Sequence, residues 1–139
     1  ETLPLWKMAW RDPHSKIEPQ SVITYGSFPF VRDLTHYNEP AHFFGVHDAG
    51  KLVAFGAGHR THNTYRVRTH VVLPEYRQLG LGRALVERTY DIARGYGCKL
   101  AWGLPRKSTL KFWESTGLCQ STDFFDESTE ANCFALKQL

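Results

Sequence analysis

Cysteine is scarce: there are three, Cys98, Cys119 and Cys133. The odd number and lack of paired spacing argue against a disulfide framework or a cysteine zinc site, and point to a reduced, cytoplasmic compartment. No run approaches the ~18 apolar residues of a membrane span, and no basic-then-apolar signal pattern is present, so no membrane partner is expected. Charge is nearly balanced, with 17 Lys and Arg against 14 Asp and Glu, net +3. That leans towards an anionic ligand but lacks the basic stripe of a nucleic-acid binder. Seven histidines are present, and His59-x-x-His62 resembles a metal pair. No carboxylate or cysteine lies near it at ligand spacing, so no metal is expected. Repeats, linkers and low-complexity segments are missing too. What remains is 139 residues at 42% hydrophobic content, enough for one domain over residues 1–139 with one core.

The first third predicts short helical pieces over residues 3–11, after Glu18-Pro19, and over 30–37, separated by proline and glycine. From His42 the pattern changes. Apolar runs at 42–47 and 52–59 flank Asp48-Ala49-Gly50-Lys51, a hairpin signal. Residues 65–73 predict a third strand, closed by Pro74, which cannot donate to a ladder. An amphipathic helix is expected over 79–94. Leu81, Leu85 and Ile92 form its apolar side, widened by Val86, Tyr90 and Ala93. Residues 99–104 then complete a βαβ unit and a parallel strand pair. Ser108 predicts the start of a short helix through Thr116. Residues 118–125 and 132–137 read as two closing strands around the acidic turn 126–130. The fold class is α+β, with a mixed sheet.

The strand–turn–helix at 71–85 is the chemical centre of the chain. Backbone N–H groups at a strand-to-helix turn are unpaired and, with the helix dipole, form an anion site. Gly80 and Gly82 let a phosphate approach the backbone. A Walker loop needs Gly-x4-Gly-Lys-Ser/Thr, which is absent. A dinucleotide fingerprint needs a third glycine where Leu85 stands. Arg77-Gln78-Leu79-Gly80-Leu81-Gly82 instead satisfies Arg/Gln-x-x-Gly-x-Gly/Ala, preceded in register by Val72-Leu73-Pro74-Glu75-Tyr76.

With Phe112-Trp113-Glu114-Ser115-Thr116-Gly117-Leu118 further on, these motifs resemble the two signatures of the GNAT superfamily of N-acetyltransferases. The resemblance covers residues 42–137 well and the N-terminal segment loosely. It implies a central sheet splayed between two parallel strands, with helices on both faces. It also implies acetyl-CoA as cosubstrate. Backbone groups of His70, Val71 and Val72 would meet the pantetheine arm. Those of Gln78, Leu79, Gly80, Leu81, Gly82 and Arg83 would hold the pyrophosphate, beside Arg77 and Trp113. Arg106, Lys107 and Lys111 are placed to meet the cofactor's phosphates, with a solvated helix face as their alternative role.

The usual chemical helpers are replaced. Trp113 stands at the frequent tyrosine acid. Arg66 and Ala101 stand at the two common glutamate-base positions. His70 is the candidate base, since an imidazole pKa of about 6.5 suits the task; a structural strand histidine is the competing role. His59 and His62 are weaker candidates, and Tyr65 is a candidate donor to the leaving thiolate. Alternation places Arg66, Arg68 and His70 on one strand face. Two arginines there point to a carboxylate or phosphate on the acceptor; internal salt bridges are the alternative. The expected activity is transfer of acetyl to a primary amine of a small molecule or peptide, with an acidic acceptor favoured, by a monomer or homodimer. A binding module that has lost catalysis, a transferase of larger acyl groups and an O-acetyltransferase are the rivals.

Overall fold

The computed structural model describes residues 42–61, 63–127 and 130–139. The three helical pieces expected before residue 42, and His62, lie outside them. Strands β1 (His42–Asp48), β2 (Lys51–Thr61) and β3 (Thr64–Val72) form an antiparallel meander. The turn between β1 and β2 carries Ala49 at φ 49° and Gly50 at φ 80°. Two successive left-handed residues match the right-handed twist of a two-residue hairpin. A 3-10 turn, Pro74–Tyr76, leads to helix α1 (Leu81–Gly95), which returns the chain to β4 (Leu100–Gly103). Helix α2 (Leu110–Ser115), β5 (Cys119–Gln120), β6 (Phe125–Glu127), β7 (Glu130–Asn132) and β8 (Ala135–Gln138) follow.

The main sheet has six strands in the order β1-β2-β3-β4-β8-β5, and β6 and β7 form a separate two-stranded ribbon. The closing expectation is corrected here. Residues 118–125 are not one strand: β5 ends at Gln120, where Ser121 N donates to Phe134 O at 2.8 Å and the Thr122 hydroxyl accepts from Phe134 N at 3.0 Å. The last strand, β8, enters between β4 and β5 and pairs with both.

Helix α1 buries Leu85, Val86, Thr89, Tyr90 and Ala93. Val86 and Tyr90 join Val67, Ala101, Leu118 and Ala135 in one core cluster, with Trp113 packed on it; Ala93 joins Tyr65 and Cys98 in another. Of the predicted apolar face, Leu85, Val86, Tyr90 and Ala93 are buried and Leu81 and Ile92 are half-buried, so the packed face is turned towards the widening residues, and Thr89 is a polar residue within it.

β3 and β4 are parallel, but their register covers only Thr64↔Leu100, Tyr65↔Ala101 and Arg66↔Trp102. Beyond Arg66 the two strands part. On its other side β3 slips against β2, since Gly56 faces His70 while Gly58 faces Val67. Arg68 and Thr69 together lie opposite Ala57, which is a β-bulge. Gly58 is required there: a Cβ would sit 2.7 Å from the Arg66 carbonyl oxygen, a backbone atom that cannot swing away. Gly58→Ala should cost about 2 kcal/mol, in the range of an overpacked core, read as a lower urea midpoint with unchanged slope.

Candidate active site

The bulge changes which residues share a face. Tyr65 and Val67 lie in the clusters packed by α1. Past the bulge His70 reaches Thr89 of α1, and Val72 approaches Gly82 in the first turn of α1. Arg66 lies on the opposite side, its guanidinium 4.8 Å from the Trp102 ring centre. The expectation that Arg66, Arg68 and His70 form one row is therefore wrong, because one extra residue inverts the alternation. Arg66 is buried at 5% exposure and Arg68 is half-buried within the bulge.

Where β3 ends, the backbone becomes a cradle. Gln78 at φ 64° and Gly80 at φ 80° turn the chain sharply. Gly80 caps α1 without a side-chain hydrogen bond. Tyr76 N donates to Leu73 O, Arg77 N to Pro74 O and Ala84 N to Gly80 O. Among the described residues, the N–H groups of residues 78–83 have no backbone partner. Six such donors around one helix start, aided by the dipole, make an anion site.

Side chains brace this loop from three directions. The Tyr76 hydroxyl donates to Asp48 Oδ2 at 2.7 Å, which ties the loop to the β1–β2 turn and raises the phenol's pKa. Arg77 Nε donates to the Val72 carbonyl at 3.1 Å. Arg83 donates to the carbonyl and hydroxyl of Ser115 at 3.2 and 3.0 Å, clamping the end of α2 to the start of α1. Asp48 and Ser115 were not legible as site residues, since each acts across a long sequence separation. Tyr76→Phe should weaken coenzyme A binding several-fold while the ligand-free melting temperature stays nearly constant, a pair of values that calorimetry and thermal denaturation give directly.

The other predicted residues differ in burial and contacts. Val71 is buried and Val72 half-buried. Leu79 is 69% exposed and Phe112 38% exposed. Leu81 is half-buried, and a Cβ on Gly82 would rest 3.5 Å from the Phe112 ring. Arg106 makes an isolated β-bridge to Asn132. Lys107 lies 5.5 Å from the Phe124 ring centre, and Lys111 is exposed.

Two candidate proton-transfer groups are not poised for that work. The Tyr65 side chain is fully buried, and its hydroxyl is 3.0 Å from His42 Nδ1. Its residue lies in the paired part of the seam, opposite Ala101, and burial pushes its phenol well above the usual value. His70 has Nδ1 3.0 Å from the Arg68 carbonyl and Nε2 2.8 Å from the Thr89 hydroxyl, which also lies 2.9 Å from the Leu85 carbonyl. The Arg68 carbonyl can only accept, which favours a proton on Nδ1, while the Thr89 hydroxyl donates its single hydrogen to the Leu85 carbonyl and stands against Nε2 through its oxygen. Burial lowers the pKa to about 4, although the Arg68 and Leu85 carbonyls pull the other way. Both nitrogens are committed inside the protein. His59 is buried, and Ala101 is fully buried in the seam. Trp113 stands edge-on to His70 at 5.3 Å between ring centres. No group of three or more metal-ligating side chains is present among the described residues.

Comparison with known proteins bears on the family and the fold. The family model described as "Acetyltransferase (GNAT) family" matches residues 3–118. No curated protein sequence matches the chain. The fold is similar to Escherichia coli ElaA, with TM-score 0.71 and 12% identity over 97% of this chain and 83% of that one. An acetyltransferase from Bacillus cereus gives 0.66 and 16%, over 96% and 84%. The PaiA N-acetyltransferase of Thermoplasma acidophilum, solved in complex with coenzyme A, gives 0.61 and 15%, over 71% and 61%. A strand that ends in an anion cradle, a parallel neighbour that leaves it after three residues, and a matching family model over most of the sequence lead to one conclusion: the chain belongs to the GNAT acetyltransferase family.

Proposed function

We propose that this protein transfers an acetyl group from acetyl-CoA to a primary amine of a small molecule or peptide, by direct attack within a ternary complex. The observation that carries the reading is the continuity of two features on one strand: the open edge of β3 past Arg66 runs straight into the cradle at residues 78–83. A pyrophosphate would sit on the cradle N–H groups, and an amide-bearing arm would add to the open edge as a strand does.

The lengths agree. A pantetheine arm has roughly the backbone length of four extended residues, about 14 Å at ~3.4 Å each. Measured back along β3 from Val72, that reaches the bulge at Arg68 and Thr69. Backbone groups at a bulge are turned out of the ladder, so this is where a thioester carbonyl would find a donor. Polarising that oxygen as charge develops lowers the barrier to amine attack.

A strong side-chain base is not part of the reading. A lysine-like amine, with pKa about 10.4, is almost entirely protonated at neutral pH, whereas an α-amino group at about 7.7–8.0 is already partly neutral. The reading therefore favours an acceptor of low amine pKa, its proton passing to water. Arg68, half-buried in the bulge, favours an acidic group on that acceptor through bidentate pairing. Arg68→Ala should then raise the acceptor KM about tenfold or more and leave that for acetyl-CoA nearly unchanged.

Thermal shift with CoA, acetyl-CoA and longer acyl-CoAs tests the cradle and the acyl preference. Thiol release across a panel of amines tests transfer. Binding without turnover on any amine would favour the rival reading, an acyl-CoA-binding module, for which Trp113, Arg66 and Ala101 at the helper positions are the supporting observation. Stronger stabilisation by a longer acyl-CoA would move the reading to another acyl group.

A further inference from the structure

The ring of His70 connects four elements. From β3 it reaches back to the Arg68 carbonyl and across to Thr89 of α1. Trp113 of α2 meets it edge-on at 5.3 Å, and Phe44 of β1 at 6.1 Å between ring centres. Space is reserved for it. A Cβ on Gly56, the residue facing His70 across the ladder, would lie 2.8 Å from Nε2 and 2.6 Å from the Phe44 ring.

The place it supports is one where the pairing of β3 changes on both sides. Parallel pairing stops at Arg66, and the antiparallel register on the other side skips a residue between Val67 and His70. A strand whose parallel neighbour has ended, and which carries an extra residue against the other, depends more on contacts from side chains to keep its shape there. The imidazole supplies that restraint, one nitrogen on the bulge carbonyl and the other on a rigid helix. A base would need a nitrogen open to the acceptor amine; here both nitrogens are engaged within the fold.

We propose that His70 is a positioning residue: its ring, bonded to the Arg68 carbonyl and braced on Thr89, holds the bulge at Arg68 and Thr69 in the shape that meets the thioester carbonyl. This rests on the acetyl-CoA reading above.

The test is isotope-edited infrared spectroscopy of bound [1-13C]acetyl-CoA, with CoA affinity measured alongside. The full chain is compared with His70→Asn and His70→Gln. The Asn amide nitrogen falls near the Nδ1 position and reaches the Arg68 carbonyl. The Gln amide falls near Nε2 and does not. The expected result is a carbonyl band moved to lower frequency in the wild type, kept in His70→Asn and lost in His70→Gln, with CoA affinity within twofold throughout. In turnover, kcat should fall at least tenfold in His70→Gln and be largely restored in His70→Asn, with the KM for acetyl-CoA steady. A band unmoved by His70→Gln overturns the proposal. So does equal loss of turnover in both variants with the band intact, which marks a base, or loss of CoA affinity in both, which marks a packing role. A wild type that binds neither CoA nor acetyl-CoA overturns the cosubstrate reading itself.

Discussion

Gly82→Ala is expected to make the ligand-free protein more stable and its coenzyme A complex weaker. The added methyl meets Phe112 at 3.5 and 3.7 Å and Val72 at 3.9 Å, ordinary contact distances. The position lies inside α1, where alanine exceeds glycine by up to about 1 kcal/mol in helix propensity. The same methyl stands on the turn whose N–H groups are open to an anion. Coenzyme A affinity should fall at least tenfold, about 1.4 kcal/mol, while the ligand-free melting temperature rises by a few degrees. Gly80→Ala separates the two effects. Nothing lies within 4 Å of a Cβ there, yet φ is 80°, so stability should drop by about 1 kcal/mol through backbone strain alone. An unchanged dissociation constant in Gly82→Ala would remove the first turn of α1 from the anion site.

The second large effect is on acid stability. His70 titrates near 4 in the folded chain against an ordinary 6.5, chiefly because the ring is desolvated. Between these values the unfolded chain binds a proton that the folded chain refuses, so folding stability falls as pH drops from 6.5 towards 4 and is unaffected by this group above 6.5. The full difference amounts to about 3 kcal/mol. Among the described residues, the side chains shown against the ring, Phe44, Thr89 and Trp113, carry no charge that would oppose this. Urea titrations at stepped pH should therefore show a steeper acid loss in the wild type than in His70→Asn, which has no group to titrate. Parallel curves for the two proteins would refute the desolvated, neutral imidazole.

Much of this arrangement can be read from local sequence because its signals are local. Pro74 ends a strand, Gly80 and Gly82 open a helix, and Asp48-Ala49-Gly50-Lys51 closes a hairpin, each by its own backbone limits. The core face of α1 follows from periodicity alone. The bulge is a different kind of feature. Alternation gives a strand's faces only while register holds, and the slip at Arg68 and Thr69 is a relation between two strands. Its trace is on the partner: Gly56 and Gly58, two glycines in the apolar run at 52–58 of β2, leave room for His70 and for the Arg66 carbonyl. Read as marks of a close approach, they would have located the bulge. Thr89 carried no such mark, because a threonine on an apolar helix face is common. The insertion of β8 between β4 and β5 depends on which edges are left open, and no short segment encodes that.

The brief seam between β3 and β4 has a mechanical side. Three residue pairs join a half-sheet of β1, β2 and β3 to one of β4, β8 and β5, so the seam acts as a hinge and the gap beyond it as the jaw of a clip. A molecule that hydrogen-bonds along the open edge of β3 and packs towards β4 is then more than cargo: it is the missing rung between two plates otherwise joined beyond the seam through the core under α1. Ligand-bound and ligand-free forms should differ less in shape than in stiffness, with slower amide exchange in both half-sheets at once, including strands the ligand never touches.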